Sequence, residues 1–107
     1  MATDWRSSRE YRIWRVTVIL RDKTCQICGK GTKDGIVRHA HHLNSASYFI
    51  DERFDPENGV CLCSVCHINF HTNYKRSYRT KCTKYDFANM LSFVVKLDIA
   101  RAQVSEQ

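Results

Sequence analysis

Two cysteine pairs of identical spacing, Cys25-x-x-Cys28 and Cys63-x-x-Cys66, constrain the fold of this 107-residue chain more than any other feature. A gap of two residues lets both thiolates of a turn reach one tetrahedral ion, with Zn–S bonds of about 2.3 Å. A chain this short buries a limited core, so a staple of this kind is common. The pairs therefore predict one structural zinc site with four cysteine ligands.

The remaining two of the six cysteines, Cys61 and Cys82, are predicted to lie outside that site. Cys61 stands two positions before Cys63, a spacing poorly suited to the same tetrahedron, and we interpret it as a buried free thiol. Cys82 lies in a basic segment and is interpreted as a bystander. The polar start of the chain does not resemble a secretory signal, so we expect a reducing, cytoplasmic location in which cysteines favour metal over disulfides.

The charge balance is basic, with 17 Lys and Arg against 11 Asp and Glu and a formal net charge of +6. Such a charge suggests a polyanionic partner, either nucleic acid or an anionic membrane face. Simple solubility is the alternative interpretation. No apolar run approaches the roughly 18 residues that a membrane span needs. Of these two partners we expect nucleic acid and no membrane.

Hydrophobic periodicity and turn signals predict one domain over 1–107, with a core at about 22–72 and helical extensions at 5–21 and 83–104. Thr83 is predicted to cap the last helix, with Asp86 in its first turn. The segments predicted are a helix over 8–21, a strand over 36–43, a loop over 44–59, a short strand or helix lead-in over 60–63, and helices over 64–72 and 83–104.

All five histidines lie close together in the middle of the chain. His67 and His71 are four residues apart on a predicted helix, so both face the same way. One imidazole of the His41-His42 pair can complete a three-nitrogen metal site with open coordination positions. The other is then free to act as a general base near neutral pH. An accidental cluster remains the alternative at this point, since His39 lies there too.

Six short motifs follow one another from about Tyr11 to His71: Trp14-Arg15, Leu20-Arg21-Asp22, Cys25-Gln26-Ile27-Cys28-Gly29, His41-His42-Leu43, Asp55-x-x-Asn58-Gly59 and Leu62-Cys63-x-x-Cys66-His67. In this order and spacing they resemble the HNH endonuclease family. The resemblance implies an α+β fold: a small ββα-metal core with a four-cysteine zinc knuckle, flanked by N- and C-terminal helices.

The resemblance also implies a role for five polar residues. His41 corresponds to a metal ligand and His42 to the general base. Asn58 corresponds to the asparagine that holds the base in position and braces the loop. His67 and His71 correspond to the remaining ligands of the catalytic metal.

The all-histidine ligand set bears on which catalytic metal is expected. Many family members carry aspartate where this chain has His41, and the set here is more similar to that of the bacterial colicin nucleases. Imidazoles favour Zn²⁺, Ni²⁺, Co²⁺ or Mn²⁺, whereas Mg²⁺ prefers oxygen ligands. The expected cofactors are a structural Zn²⁺ and one catalytic divalent metal from these five.

The implied function is hydrolysis of DNA phosphodiester bonds to 5′-phosphate and 3′-hydroxyl ends, with little sequence specificity. The alternative is a non-catalytic zinc-binding module that binds nucleic acid. A second alternative is a protein–protein adaptor built on the zinc knuckle. Compact HNH chains are frequent in phages, which favours a phage origin and the cytoplasm of a bacterial host.

Basic residues predict how DNA is held, through phosphate contacts that carry no base information. Arg38, beside the histidines, is one candidate for such a contact. The candidates in the basic segment near the C-terminal helix are Lys75, Arg76, Arg79, Lys81 and Lys84. The alternative interpretation of this segment is a solvated loop.

Four further arginines, Arg6, Arg9, Arg12 and Arg15, recur every third residue. They fit either a solvated helix flank or phosphate contact. The expected oligomeric state is a monomer or a weak dimer.

Overall fold

A computed structural model describes residues 4–74 and 81–91 of the chain. The fold is α+β, and its centre is a two-stranded antiparallel sheet followed directly by a helix. This ββα core and the helices on either side of it confirm the predicted fold class. The main elements are α1 (Arg9–Asp22), β1 (Arg38–His42), β2 (Gly59–Cys63), α2 (Ser64–Asn69) and α3 (residues 84–91).

The register of the sheet positions the chemistry-bearing residues of both strands. Arg38 pairs with Cys63 at one end of the sheet, and His42 pairs with Gly59 at the other end. Because α2 begins at the residue after Cys63, the helix carries its side chains back beside β1. The first strand is shorter than the predicted 36–43 segment, since only five residues pair with β2.

Helix α1 confirms the helix predicted over 8–21 and packs across the sheet. The Ser8 side chain caps it by accepting a hydrogen bond from the Tyr11 backbone N–H at 3.1 Å. Trp14 and Val18 are buried on the side that faces β2. The indole N–H of Trp14 donates to the Asp55 carbonyl at 2.8 Å, so this helix also holds the loop between the strands.

The end of α1 is tied to the start of β2 by two charged residues. The Arg21 guanidinium donates to the carbonyls of Pro56 at 2.8 Å and Gly59 at 2.7 Å. The Asp22 carboxylate accepts the backbone N–H of Cys61 at 2.9 Å. These contacts give the Leu20-Arg21-Asp22 motif a structural role, because they fix the strand that leads to the second cysteine pair.

Gly59 lies where the sheet approaches α1 most closely. A Cβ atom at this position would stand 2.5 Å from Val18 Cγ2 and 2.8 Å from Trp14 Cζ2. Both neighbours are buried, with Trp14 only 1% and Val18 0% exposed, so neither can move aside freely. Glycine is therefore required here for packing.

We expect Gly59→Ala to lower the free energy of unfolding by about 1–3 kcal/mol, the usual cost of overpacking a core. The change is measured by denaturant unfolding at saturating zinc. An unchanged midpoint would mean that α1 does not pack as closely on β2 as described.

The C-terminal part of the described chain closes the core. The backbone N–H of Thr83 donates to the Asp86 carboxylate at 2.8 Å, which confirms the predicted start of α3. Phe87 and Met90 are buried against a cluster that includes Leu62. The predicted continuation to residue 104, with Val94 and Leu97 on the same face, lies outside the described residues.

The helix predicted over 64–72 begins where expected but changes its winding. It is α-helical over Ser64–Asn69 and continues as a π-turn over Phe70–Tyr74. The wider turn is a feature often found at functional sites in proteins. In the described part of the chain, no helix combines the length and the apolar character needed to cross a bilayer.

Candidate metal centres and active site

The four cysteines of the two pairs converge on one point. Their sulfur atoms all lie within 4.8 Å of one another, and Cys28 Sγ is 3.7 Å from Cys63 Sγ. Four ligands at about 2.3 Å from a tetrahedral zinc stand roughly 3.8 Å apart, so the spacing fits a zinc ion. The first pair lies in the turn after α1, Cys63 ends β2, and Cys66 belongs to the first turn of α2.

The electrostatics of the cluster also suit a cation. Burial would raise the pKa of Cys25, but hydrogen bonds from the backbone of Cys28, Cys63 and Ile27 outweigh it and lower that pKa to about 7. Burial raises the pKa of the Cys28 and Cys66 thiols. Four thiolates this close need a divalent cation to offset their repulsion, so metal binding and folding are coupled here.

The remaining cysteines are both buried and belong to neither group of metal-ligating side chains found among the described residues. Cys61 is fully enclosed on β2, in agreement with its interpretation as a buried thiol. Cys82 is held by its backbone, which donates to Ser45 Oγ at 2.6 Å and accepts the Ser45 N–H at 2.9 Å. Its place in the core was not apparent from the basic sequence around it.

His41, His67 and His71 form a second cluster, with one ring nitrogen of each within 4.8 Å of the others. His67 Nε2 and His71 Nε2 are 3.2 Å apart, close to the roughly 3.4 Å between nitrogens that share a tetrahedral zinc. His41 is 3% exposed, and among the described residues its buried Nε2 has no hydrogen-bond partner. An orphaned buried nitrogen is costly, and a cation would satisfy it.

All three imidazoles are held in the neutral form that binds metal. Burial is the largest cause for each of them, and it lowers the pKa of His41 well below its ordinary value. It lowers the pKa of His67 to about 4 and shifts that of His71 in the same direction. Repulsion between the rings adds to the shift at His41 and His67. The residues present therefore fit a divalent metal.

His42 points away from this cluster because successive residues of a strand face opposite sides of the sheet. Its ring stacks on Trp14 with centroids 3.9 Å apart and planes 9° apart. His42 Nε2 lies 2.9 Å from the Arg53 carbonyl oxygen. A carbonyl can only accept, so Nε2 carries the hydrogen and Nδ1 of the neutral ring keeps its lone pair. Burial is the main cause that lowers the pKa of His42, with added repulsion from Arg6 and Arg53.

Asn58 acts on the loop between the strands rather than on the His42 ring directly. Its side-chain oxygen accepts the Asn44 N–H at 2.8 Å, and its amide donates to the carbonyls of Asn44 at 3.0 Å and Glu52 at 3.3 Å. Glu52 immediately precedes Arg53, whose carbonyl meets His42. Asn58 is thus linked to His42, the candidate base, through the backbone of the loop.

The two groups of histidines open onto one cleft of about 630 Å³. His41, His67 and His71 line it together with His42, so the candidate base and the candidate ligands border the same cleft although His41 and His42 lie on opposite faces of β1. One wall comes from the turn Trp5–Ser7, and the other comes from residues 45–48.

The predicted DNA-binding residues are only partly described. The Arg38 guanidinium donates to the Lys23 carbonyl at 2.8 Å, at the far end of β1 from His42. Lys81 and Lys84 are exposed, and Lys81 Nζ lies 5.0 Å from the centre of the Phe49 ring. Contact of these three with DNA stays a prediction. Lys75, Arg76 and Arg79 lie outside the described residues.

Sequence reasoning missed the aromatic enclosure of His42. Trp5 meets the His42 ring edge-on at 5.6 Å, whereas Trp14 stacks on its face. The Arg53 carbonyl was missed as well, since a backbone acceptor leaves no mark in the sequence. Trp14 was singled out as part of the Trp14-Arg15 motif, without a predicted contact to His42. His39 lies 5.3 Å from His67 between ring centres but is not a member of the three-histidine cluster.

Comparison with known proteins bears on the same part of the chain. Residues 25–74 match the model of a family described as HNH endonuclease. No curated protein and no solved structure matches the chain. The matched segment contains both metal clusters, the sheet and the candidate base. Residues 25–74 are therefore similar to the HNH endonuclease family, which supports the resemblance carried by the sequence motifs.

Proposed function

We propose that this chain is a metal-dependent endonuclease that hydrolyses DNA phosphodiester bonds. The observation that carries the proposal is the shared cleft, in which a neutral imidazole with a lone pair stands beside three histidines able to hold a metal. A hydrolase for phosphodiesters needs a base for water and a cation for the developing charge, and the cleft offers both.

His42 is the general base in this proposal. The Arg53 carbonyl fixes the tautomer, so Nδ1 is the nitrogen that takes the proton from an attacking water. Trp14 holds the plane of the ring, and Asn58 braces the loop that presents Arg53. These contacts restrict the base to one orientation before substrate arrives, which is how enzymes avoid reorganisation during reaction.

His41, His67 and His71 would hold the catalytic metal, which is Zn²⁺, Ni²⁺, Co²⁺, Mn²⁺ or Mg²⁺. When bound, such an ion supplies Lewis-acid stabilisation to a phosphate oxygen and the leaving 3′ oxygen. Cys25, Cys28, Cys63 and Cys66 would hold a structural Zn²⁺ at the opposite end of β2 from Gly59. The products would carry 5′-phosphate and 3′-hydroxyl ends.

DNA would be bound mainly through its phosphates, with little sequence reading. The basic charge of the chain supports a polyanionic substrate. Residues 1–107 would act as one domain, and the protein would be a monomer or a weak dimer. It would act in the cytoplasm, which for a phage protein is the cytoplasm of the bacterial host. Arg38, Lys81 and Lys84 are proposed contacts, together with the three basic residues at positions 75, 76 and 79.

Cleavage of supercoiled plasmid by the full-length zinc-loaded chain tests the proposal, with each of the five metals added in turn. Relaxed or linear DNA is expected with at least one metal and none without it. Binding without cleavage under every condition would favour the non-catalytic nucleic-acid module. Neither binding nor cleavage would favour the protein adaptor.

Replacing Lys75, Arg76 and Arg79 together with alanine is expected to weaken DNA binding and flatten its salt dependence. Each lost phosphate contact lowers the logarithmic salt slope by about 0.9 on duplex DNA, so three contacts predict a drop of about 2.7. The loss should be similar for unrelated sequences. A retained wild-type slope, or a loss confined to one sequence, would refute the assignment.

A further inference from the structure

The walls of the catalytic cleft differ in charge from the chain as a whole. Among the described residues that line it, Arg6 carries the only permanent charge, and no acidic side chain is present. A phosphate entering the cleft would therefore meet one fixed cation from the protein, and it is located in the N-terminal turn.

Arg6 is held in place by an aromatic ring that also contacts the candidate base. Its guanidinium carbon lies 4.3 Å from the centre of the Trp5 ring, a cation–π contact. Trp5 in turn packs edge-on against His42 at 5.6 Å and against Phe54 at 6.2 Å. The cation is thus positioned relative to the base through a single intervening side chain.

The polar contacts of the Arg6 side chain leave its capacity to bind an anion largely intact. Its ion pair with Asp4 is 3.9 Å long, and both side chains are about 60% exposed, with values of 60% and 61%. Exposed pairs at this distance contribute little. Arg53 contacts the same Trp5 ring at 4.7 Å, but its guanidinium already donates twice to the Ala46 carbonyl.

The structure separates Arg6 from the three other arginines of its sequence repeat. Arg15 donates to the Arg38 carbonyl at 3.4 Å. Arg9 and Arg12 are exposed on α1 and border a shallow surface with Ile13 and Val16 rather than the cleft. Of the four arginines, only Arg6 lines the cleft that contains the histidines.

We propose that Arg6 binds a phosphate of the nucleic-acid substrate inside the catalytic cleft. The proposal rests on the endonuclease function proposed above and names a substrate-binding residue for it. A planar guanidinium can bind two phosphate oxygens at once, and its contact with Trp5 limits the entropy lost on binding. Arg6 lies outside the 25–74 segment that matches the family, so the N-terminal turn completes the site from beyond that segment.

The test compares Arg6→Ala with Arg6→Lys and with Arg12→Ala, a matched control from the same sequence repeat that lies away from the cleft. Binding to a short defined DNA duplex is measured against salt in the His67→Ala background, in which we expect no cleavage. Arg6→Ala should lower the logarithmic salt slope by about 0.9, while Arg6→Lys and Arg12→Ala should keep it. In the otherwise wild-type chain, Arg6→Ala should slow cleavage on the order of tenfold. Removing a buried, preorganised donor usually slows a reaction more than this. The Arg6 guanidinium is exposed to solvent, so the expected loss of rate is smaller.

The outcomes distinguish this proposal from the proposed function. Wild-type cleavage together with an unchanged slope and rate in Arg6→Ala overturns the role of Arg6 and leaves the nuclease function standing. Equal slope losses in Arg6→Ala and Arg12→Ala overturn it as well, because the contact would not be specific to the cleft. A slope loss confined to Arg6→Ala, in a chain that shows no cleavage with any of the five metals, supports phosphate binding at Arg6 and removes the nuclease function.

Discussion

Cys25→Ser is expected to unfold the protein under conditions in which the wild type is folded, with loss of its structural zinc. Zinc binding contributes on the order of 10 kcal/mol to the folding of small zinc domains, more than most domains possess in net stability. Cys25 is 1% exposed, and its sulfur lies within 4.8 Å of the three other sulfurs, so serine cannot replace it as a ligand. Zinc content and circular dichroism of the purified variant measure the effect.

Cys61→Ser and Cys82→Ser serve as matched controls because both cysteines are buried outside the zinc cluster. Serine at either position buries a hydroxyl, which costs about 1–3 kcal/mol when it lacks a partner. Both variants should keep one zinc and remain folded. Equal unfolding midpoints for Cys25→Ser and the two controls would show that the four-cysteine cluster does not hold the fold together.

His42→Ala is expected to reduce the cleavage rate about 10²–10⁴-fold, the usual contribution of a general base. The imidazole is the candidate proton acceptor in the cleft, and its Nδ1 lone pair is fixed by the hydrogen bond from Nε2 to Arg53. DNA binding and the structural zinc should be retained, because neither depends on this ring. Single-turnover cleavage under saturating metal is the measurement.

His39→Ala is the control for that experiment, since it removes the same type of side chain from the same strand at a position that does not line the cleft. Its cleavage rate should stay near that of the wild type. A His42→Ala variant that cuts DNA as fast as His39→Ala would show that His42 is not the base.

The two metal clusters could be predicted from the sequence because their ligands follow local geometric rules. A Cys-x-x-Cys turn and an i, i+4 histidine pair each place two donors together whatever the rest of the fold does. The fold class was predicted through the resemblance of the ordered motifs to the HNH endonuclease family, whereas hydrophobic periodicity by itself predicted only the flanking helices. His41 lies in the segment between the two cysteine pairs. It joins the histidine cluster because β1 packs beside α2, which carries His67.

The surroundings of the base could not be predicted, because they depend on contacts between distant segments. Trp5 and Trp14 come from the N-terminal part of the chain and meet His42 only after α1 packs across the sheet. The Arg53 acceptor is a backbone group that any residue would supply. The π-turn after α2 had no local signal, since His67 and His71 would share a face in an ordinary helix too.

The most direct test of the two-site arrangement measures metal content and cleavage on the same sample. Protein carrying one zinc per chain is titrated with Zn²⁺, Ni²⁺, Co²⁺, Mn²⁺ or Mg²⁺ while plasmid cleavage and bound metal are recorded. Cleavage should be absent with the structural zinc alone, should appear as a second ion binds, and should be lost in His67→Ala although that variant keeps its first zinc. Full cleavage with one zinc per chain, or by His67→Ala, would contradict a catalytic metal on His41, His67 and His71.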